Sequence, residues 1–418
     1  MRCFYHLTLL FILLHTHAAV ARTNEAWITV FIHGTFGIRS QLNLSTFMHI
    51  LKDTIAHTPY KKVVHQIRND PFFFKIQAIQ DLGLEPIPLC KKSCSAASLF
   101  ATLYEKNNTD SSTTKNLYYT YGWSGLLSYS ERYEEAGRLY EALAKEISKI
   151  KRTLPKISIR VRLVCYSHGG SVALNLAQHF QPQKPLTIDE LILLGTPVQQ
   201  ETATLVQHPL FLKAYNFYSR KDFIQKMDCF SEHGFFSHRC FKKECLHEKL
   251  VQVELKVMAN KYPNSTHFHI DRSPNHTELW FFGWTLSSYR KESITYPIPT
   301  AAFIPNLLEL IQRTAPEKKH LKLTLRPDGT ASIKEKKHGH CYHANWIDPE
   351  KLHALQEFAL ENKPQELSLR EHKAHLKSAR KSTPDGLHKL QIKHSKECTK
   401  KSRRYHRCLC ATGPYDLP

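Results

Sequence analysis

The chain has 418 residues, with 58 Lys plus Arg against 37 Asp plus Glu for a formal net charge of +21, and 42% of its residues are apolar. This composition excludes a disordered tail, a collagen-like chain and a disulfide-stapled miniprotein. The length suits one large globular domain with an appendage, because single cores stop growing at roughly 250–300 residues, and the positive balance favours loose attraction to anionic surfaces without choosing among nucleic acid, acidic lipid and cell envelope.

The N-terminus reads as a targeting segment. Arg2 gives a thin positive start, Leu7 to Leu14 an apolar run too short to cross a bilayer as a helix, and Ala19-Val20-Ala21 a small-residue cleavage pattern. Residues 1–21 are expected to be a signal peptide cleaved after Ala21, which implies a secreted or periplasmic protein; the competing reading is a buried first strand or helix, since His15 and His17 interrupt the run. Without Cys3, ten cysteines remain: Cys90, Cys94, Cys165, Cys229, Cys240, Cys245, Cys341, Cys398, Cys408 and Cys410. Export would let some of them pair, and the pair Cys90/Cys94, the trio Cys229/Cys240/Cys245 and the terminal Cys398/Cys408/Cys410 lie in polar, loop-like sequence where bridges would fasten irregular chain.

Trp27 to Ile32 is a short, nearly continuous apolar run, the pattern of a strand buried on both faces of a parallel sheet, and it ends at His33-Gly34. Residues 60–116 are longer than a crossover needs and carry apolar patches at Phe72-Phe73-Phe74 and Ser98 to Tyr104; they read as an inserted cap or lid, or as a strand-plus-helix excursion of the core. A strand at Leu117 to Tyr121 ends at Gly122-Trp123-Ser124-Gly125, and an amphipathic helix follows from about Glu131 to Lys151. A strand at Ile157 to Cys165 leads into Ser167 and a small-residue helix, Gly170 to Gln178. Further strands are expected at Ile188 to Leu194, ending at Gly195-Thr196-Pro197, at Ala214 to Ser219, just before Asp222, and at Leu250 to Met258, before a His-rich loop. The alternation predicts a doubly wound, mostly parallel α/β sheet with its ligand site at the carboxyl ends of the strands.

From about residue 315 the composition changes: Lys plus Arg number 22 against 12 Asp plus Glu, so +10 of the charge lies in the last quarter. Leu321 to Leu325, Pro327-Asp328-Gly329 and Ala331 to Lys337 read as a hairpin, because Asp-Gly supplies the positive φ angles of a tight turn. Pro349 to Asn362 reads as a helix, and a basic tail of low hydrophobicity follows. The expected division is a core domain over 22–314 and a basic C-terminal α+β extension over 315–418.

The chemistry-bearing residues stand at strand ends. Cys165-Tyr166-Ser167-His168-Gly169-Gly170 follows a strand and opens a helix, the context of a nucleophile elbow, whose sharp turn demands small residues two before and two after the serine. Cys165 and Gly169 meet that demand, although the strict G-x-S-x-G pattern fails at its first position. His33-Gly34-Thr35-Phe36-Gly37 offers low-bulk backbone whose Thr35 N–H could face a developing negative charge, with the His168 N–H at the positive end of the next helix as second donor. Such donors are commonly worth ~3 kcal/mol each in a transition state.

On these motifs, with Leu194-Gly195-Thr196-Pro197, residues 25–310 resemble the α/β-hydrolase superfamily, in particular its lipase-like branch of GPI-inositol deacylase-like lipases and bacterial triacylglycerol lipases. The resemblance does not extend to the basic C-terminal part, and Cys165 and the cysteine-bearing segment after Asp222 depart from the pattern. It implies a triad in the chain order serine, acid, histidine. Asp222, nearest the strand end, matches the acid position, with Asp228 as competitor. His276, in Pro274-Asn275-His276-Thr277-Glu278-Leu279-Trp280, matches the histidine segment, with His267 and His269 as competitors.

Other readings compete. Cys229, His233, His238, Cys240, Cys245 and His247 are residue types that hold Zn²⁺, but their spacing matches no standard finger. Lys400 to Arg407 could neutralise phosphates, yet no nucleic-acid-binding module surrounds it, so solvated charge or contact with an anionic envelope or membrane surface is the expectation and no specific nucleic-acid partner is. Sequons begin at Asn43, Asn107, Asn264 and Asn275, the last against His276, where a glycan would obstruct the site. The expectation is a serine ester hydrolase acting on lipid-like esters without metal or organic cofactor: Ser167 as nucleophile, His276 as base, Asp222 orienting it, Thr35 and His168 holding the oxyanion. A thioesterase or amidase on the same triad, or an inactive binding protein of this fold, are the alternatives.

Overall fold

The computed structural model describes residues 25–36, 52–55, 58–90, 95–108, 114–227, 237–242, 248–260, 269–284, 289–336 and 339–364, with single positions 49, 245 and 374. The expected signal peptide, Asp228, His267, and cysteines 94, 229, 398, 408 and 410 lie outside these residues.

β1 (Glu25–Ile32) is buried along its length after Glu25, and its side chains alternate between two cores: Ile28, Val30 and Ile32 enter one, Phe31 the other. Burial on both faces is why the run from Trp27 to Ile32 reads as nearly continuously apolar, with Thr29 the one polar side chain in it. β2 (Gly83–Pro86) lies antiparallel on the outer edge of β3 (Lys115–Gly122), and β1 lies parallel between β3 and β4 (Ser158–Tyr166). Beyond β4, β5 (Ile188–Leu194), β6 (Phe211–Tyr218) and β7 (Leu250–Asn260) continue in parallel, with β8 (His269–Asp271) antiparallel at the far end of β7. The strand and hairpin after residue 315 continue this sheet: β9 (His320–Leu325) runs parallel beside β7 and leads antiparallel into β10 (Thr330–Glu335) and β11 (Cys341–Asn345). The described residues thus form a mixed, mostly parallel 11-stranded sheet in the order β11-β10-β9-β7-β6-β5-β4-β1-β3-β2, with β8 off this path.

Helices cover both faces. Residues 60–116 supply α1 (Pro59–Arg68), the single turn α2 (Pro71–Phe74), strand β2 and α3 (Ala96–Asn107), a helix buried on almost every side in one of the two cores. The other face is covered by α4 (Tyr129–Thr153), which buries Ala136, Leu139, Tyr140 and Leu143, a helical i, i+3, i+4, i+7 stripe. Its N-cap Ser128 accepts a hydrogen bond from the Glu131 N–H at 3.1 Å, so the helix begins two residues before the apolar periodicity. α5 (Gly169–Asn175) packs beside it and tightens into a 3₁₀ turn over Leu176–His179. The remaining helices are α6 (Gln200–Ala203), α7 (Ile224–Met227), α8 (His276–Trp280), α9 (Ile304–Thr314) and α10 (Pro349–Glu361).

Strand order reverses at β1, which has β3 on one side and β4 on the other. The loops that leave β1 and β4 are therefore neighbours at the carboxyl edge of the sheet, where open α/β sheets place their ligand sites. A cleft of about 470 Å³ opens at the opposite edge, between Trp27, Arg160, Arg162, Asp189, Glu190 and α9. Its arginines are neutralised within it, Arg160 by Asp189 at 2.9 Å and Arg162 by Glu190 at 2.6 Å.

Candidate active site

Ser167 is the first residue past β4, and its φ of +52° lies in the left-handed region. A non-glycine residue held there stores about 1–3 kcal/mol of strain, which persists only if its surroundings hold it. Here the Ser167 N–H donates to Leu194 O at 2.9 Å, and the Gly170 N–H donates to Ser167 O at 2.9 Å. A Cβ on Gly169 would fall 2.7 Å from the Ile32 carbonyl oxygen, so the turn admits only glycine there.

Asp222 lies in a tight turn after β6, its N–H donating to Ser219 O at 3.2 Å. Its Oδ1 accepts from the N–H groups of Ile224 (3.1 Å) and Gln225 (3.3 Å) at the start of α7, which leaves Oδ2 free to face another loop. The side chain is entirely buried.

His276 opens α8, whose cap is reciprocal: Asn275 Oδ1 accepts from the Glu278 N–H at 3.1 Å and Glu278 Oε2 accepts from the Asn275 N–H at 2.8 Å. Arg290 pins Glu278 through an ion pair of 2.6 Å. Tyr166, beside the serine, donates its hydroxyl to the His276 carbonyl at 3.0 Å, and its ring lies 4.7 Å from the imidazole and stacks on Trp280 at 5.4 Å. Burial pushes the Tyr166 phenol well up, so it stays a protonated donor.

The structure brings these three residues together. His276 Nδ1 lies 2.7 Å from Asp222 Oδ2, and His276 Nε2 lies 3.1 Å from Ser167 Oγ. A carboxylate only accepts hydrogen bonds, so the tautomer consistent with both distances carries its proton on Nδ1 and leaves Nε2 to take the serine proton. Gly195, at the end of β5, forms the floor: its φ is +59°, and a Cβ there would fall 2.9 Å from Asp222 Oδ2 and 3.3 Å from His276 Nδ1. Of the competing residues, Asp228 and His267 lie outside the described residues, while His269 starts β8 on the edge of β7.

Thr35 lies on the loop after β1, beside Gly34, and His168 belongs to the serine turn itself. A Cβ on Gly34 would fall 2.7 Å from Ser167 Cβ, so the chain at Gly34 runs directly against Ser167, and His168 follows it at the N-cap of α5. His33 holds this loop. Its Nδ1–H donates to Gly34 O at 2.7 Å, its Nε2 accepts from the Trp123 N–H at 3.2 Å, and the Trp123 indole donates to His33 O at 2.7 Å. Burial, reinforced by the Arg68 charge, lowers the His33 pKa to about 3, and the neutral ring is what this donor–acceptor pattern requires. Phe36 N–H completes the stitching at Gly125 O, 3.0 Å away.

Sequence reasoning missed Arg239. Its Nε and Nη2 donate to the Asp222 carbonyl at 2.9 and 2.6 Å, and Nη2 also reaches Arg220 O at 3.1 Å. No motif marks it, because its partners are main-chain atoms. Among the cysteines, Cys90 is disulfide-bonded, whereas Cys240, in the trio whose loop-like sequence left bridges or free thiols open, carries a free thiol that burial pushes up. Among the described residues no group of three or more His, Cys, Asp or Glu could hold a metal ion; Cys229, His233 and His247 lie outside them. Asn107, first residue of one sequon, is fully buried, its amide donating to Leu103 O at 3.0 Å and Ala302 O at 3.1 Å, so the folded chain cannot present it to a glycosylating enzyme.

Compared with known protein families and with curated proteins, the chain matches no family model and no curated sequence.

Proposed function

We propose that this protein is a serine ester hydrolase of the α/β-hydrolase fold, lipase-like in its chemistry, that cleaves lipid-like carboxylic esters through an acyl-enzyme. The observation that carries this reading is the unbroken chain Ser167 Oγ, His276 Nε2, His276 Nδ1, Asp222 Oδ2, with contacts of 3.1 and 2.7 Å at the carboxyl edge of a mostly parallel sheet. A strained serine turn beside a low-bulk backbone loop supports it further.

In this reading Ser167 Oγ attacks the ester carbonyl carbon while His276 Nε2 takes the hydroxyl proton, and Asp222 stabilises the imidazolium without itself being protonated. The N–H groups of Thr35 and His168 receive the carbonyl oxygen as it becomes negative. His276 then protonates the departing alkoxide. Water, deprotonated by the same imidazole, attacks the acyl carbon and releases the acid. No residue of this scheme calls for a metal or organic cofactor. Export through residues 1–21 belongs to the same proposal and is supported by the bridged Cys90, since disulfides persist in oxidising compartments. The basic region after residue 315 is assigned to peripheral contact with an anionic membrane or envelope surface, and its strands extend the catalytic sheet.

The test is hydrolysis of p-nitrophenyl esters of graded acyl length, run beside the matching thioesters and anilides, with wild type and Ser167→Ala. Ester turnover that vanishes in Ser167→Ala is the expected result. Preference for thioester or anilide would move the assignment to a thioesterase or amidase, and no turnover of any of the three would contradict an enzymatic role.

A further inference from the structure

We propose that Arg239 is a positioning residue for the acid of the triad, a clamp that holds the Asp222 turn at hydrogen-bonding distance from His276; the inference rests on the catalytic reading above. Asp222 needs such help. It lies between the end of β6 and the four-residue helix α7, and a single helical turn has little stability of its own. A carboxylate that orients a base must nevertheless be held to within about 0.5 Å.

Arg239 supplies the constraint through the rigid fork of its guanidinium. Two of its nitrogens converge on the Asp222 carbonyl, at 2.9 and 2.6 Å, and one of them spans to Arg220 O at 3.1 Å, so both sides of the turn are tied to one planar group. The segment that carries Arg239 is anchored to the sheet as well as to α7. His238 forms a two-way bridge with Val198, at 2.8 and 3.0 Å, just past the Gly195 floor. The buried Asn216 of β6 donates to Arg239 O at 3.0 Å, and Phe241 exchanges hydrogen bonds of 2.7 and 3.3 Å with the Gln252 side chain of β7. Ser237 also donates to the Gln225 carbonyl in α7. Arg239 therefore transmits the rigidity of β5, β6 and β7 to the turn that carries the carboxylate, without contacting Ser167 or His276 itself.

The experiment compares Arg239→Ala and Arg239→Lys with wild type in the full-length protein. It reads kcat and KM for a p-nitrophenyl ester, the pH dependence of kcat/KM, and the rate of fluorophosphonate labelling. Arg239→Ala is expected to lower kcat and the labelling rate about 10–100-fold with KM within twofold, because the loss falls on orientation in the transition state. The acidic limb of the pH profile moves to lower pH, since a displaced carboxylate stabilises the imidazolium less. Arg239→Lys regains only part of the rate, because an ammonium lacks the planar fork, and ethylguanidinium added to Arg239→Ala raises kcat.

An Arg239→Ala enzyme with kcat within twofold of wild type overturns the clamp. So does a loss that is equal in both variants, leaves the pH limb in place and ignores ethylguanidinium, which would mark a merely structural residue. If Arg239→Ala does not fold, the Arg239→Lys pH limb decides by the same criterion. A wild-type protein that hydrolyses no ester and takes no fluorophosphonate defeats the catalytic reading itself, and the clamp with it.

Discussion

Asp222 Oδ2 accepts a hydrogen bond from His276 Nδ1 at 2.7 Å across a separation of 54 residues, while Oδ1 of the same carboxylate accepts the N–H groups of Ile224 and Gln225. One oxygen fixes the turn and the other fixes the imidazole. The tautomer that can accept the Ser167 proton is thus written into the backbone that follows β6.

Asp222→Asn separates these two duties. The amide oxygen can still accept from Ile224 and Gln225, but the amide nitrogen would donate to His276 Nδ1 and force the tautomer whose Nε2 carries hydrogen. Ester turnover should fall by roughly 10³–10⁴ in kcat with the fold retained. A variant that keeps a tenth of wild-type kcat would show that the carboxylate does not orient the base.

Gly195→Ala introduces a methyl group 2.9 Å from Asp222 Oδ2 at a residue with φ +59°. Left-handed strain alone should cost about 1–3 kcal/mol in urea unfolding, and the displaced carboxylate should lower kcat at least tenfold. Wild-type stability and rate together would mean that the loop gives way without affecting the triad.

How far this architecture is legible in the sequence depends on whether a feature is local. β1 and β5 announce themselves because the stretches buried on both faces, Trp27 to Ile32 and Leu191 to Leu194, are nearly continuously apolar, and Ser167 because an elbow leaves space only for residues such as Gly169. Asp222 and His276 can be picked out by order and by distance from strand ends. The position of β9 cannot: after β7 the chain adds β8 to the end of β7, builds α8 and α9, and returns parallel to β7, a pairing that no feature of Leu321 to Leu325 marks. Arg239 is equally silent, since a donor to carbonyl oxygens leaves no mark on the sequence of its partners. His33 reads as part of a low-bulk motif, whereas its neutral ring is the peg that fastens the 33–36 loop to Trp123.

Tyr166→Phe removes the hydroxyl that donates to the His276 carbonyl at 3.0 Å and leaves the ring stack on Trp280. A buried hydrogen bond of this kind contributes about 0.5–1.5 kcal/mol. Thermal unfolding should register a loss of that size, and kcat should drop several-fold as α8 loosens against β4. An unchanged melting temperature and rate would assign the positioning of His276 to its capping box alone.

Acid should destabilise the protein through His33. Burial keeps the folded ring neutral down to a pKa of about 3, whereas the unfolded ring takes up its proton near the ordinary value of 6.5. Below 6.5 the unfolded state therefore binds the extra proton. The stability that depends on a neutral ring is complete above that pH and declines by about 1.4 kcal/mol per unit as pH falls toward 3. Urea titrations between pH 7 and pH 4 should show wild type losing stability more steeply than His33→Gln by that increment. Parallel slopes would contradict a buried neutral histidine.

The most direct test of the central claim is mass mapping of the full-length protein after treatment with a fluorophosphonate. A single covalent adduct on the peptide containing Ser167 is expected, absent after Ser167→Ala and strongly slowed by His276→Ala. An unmodified protein, or an adduct on a different serine, would contradict that claim.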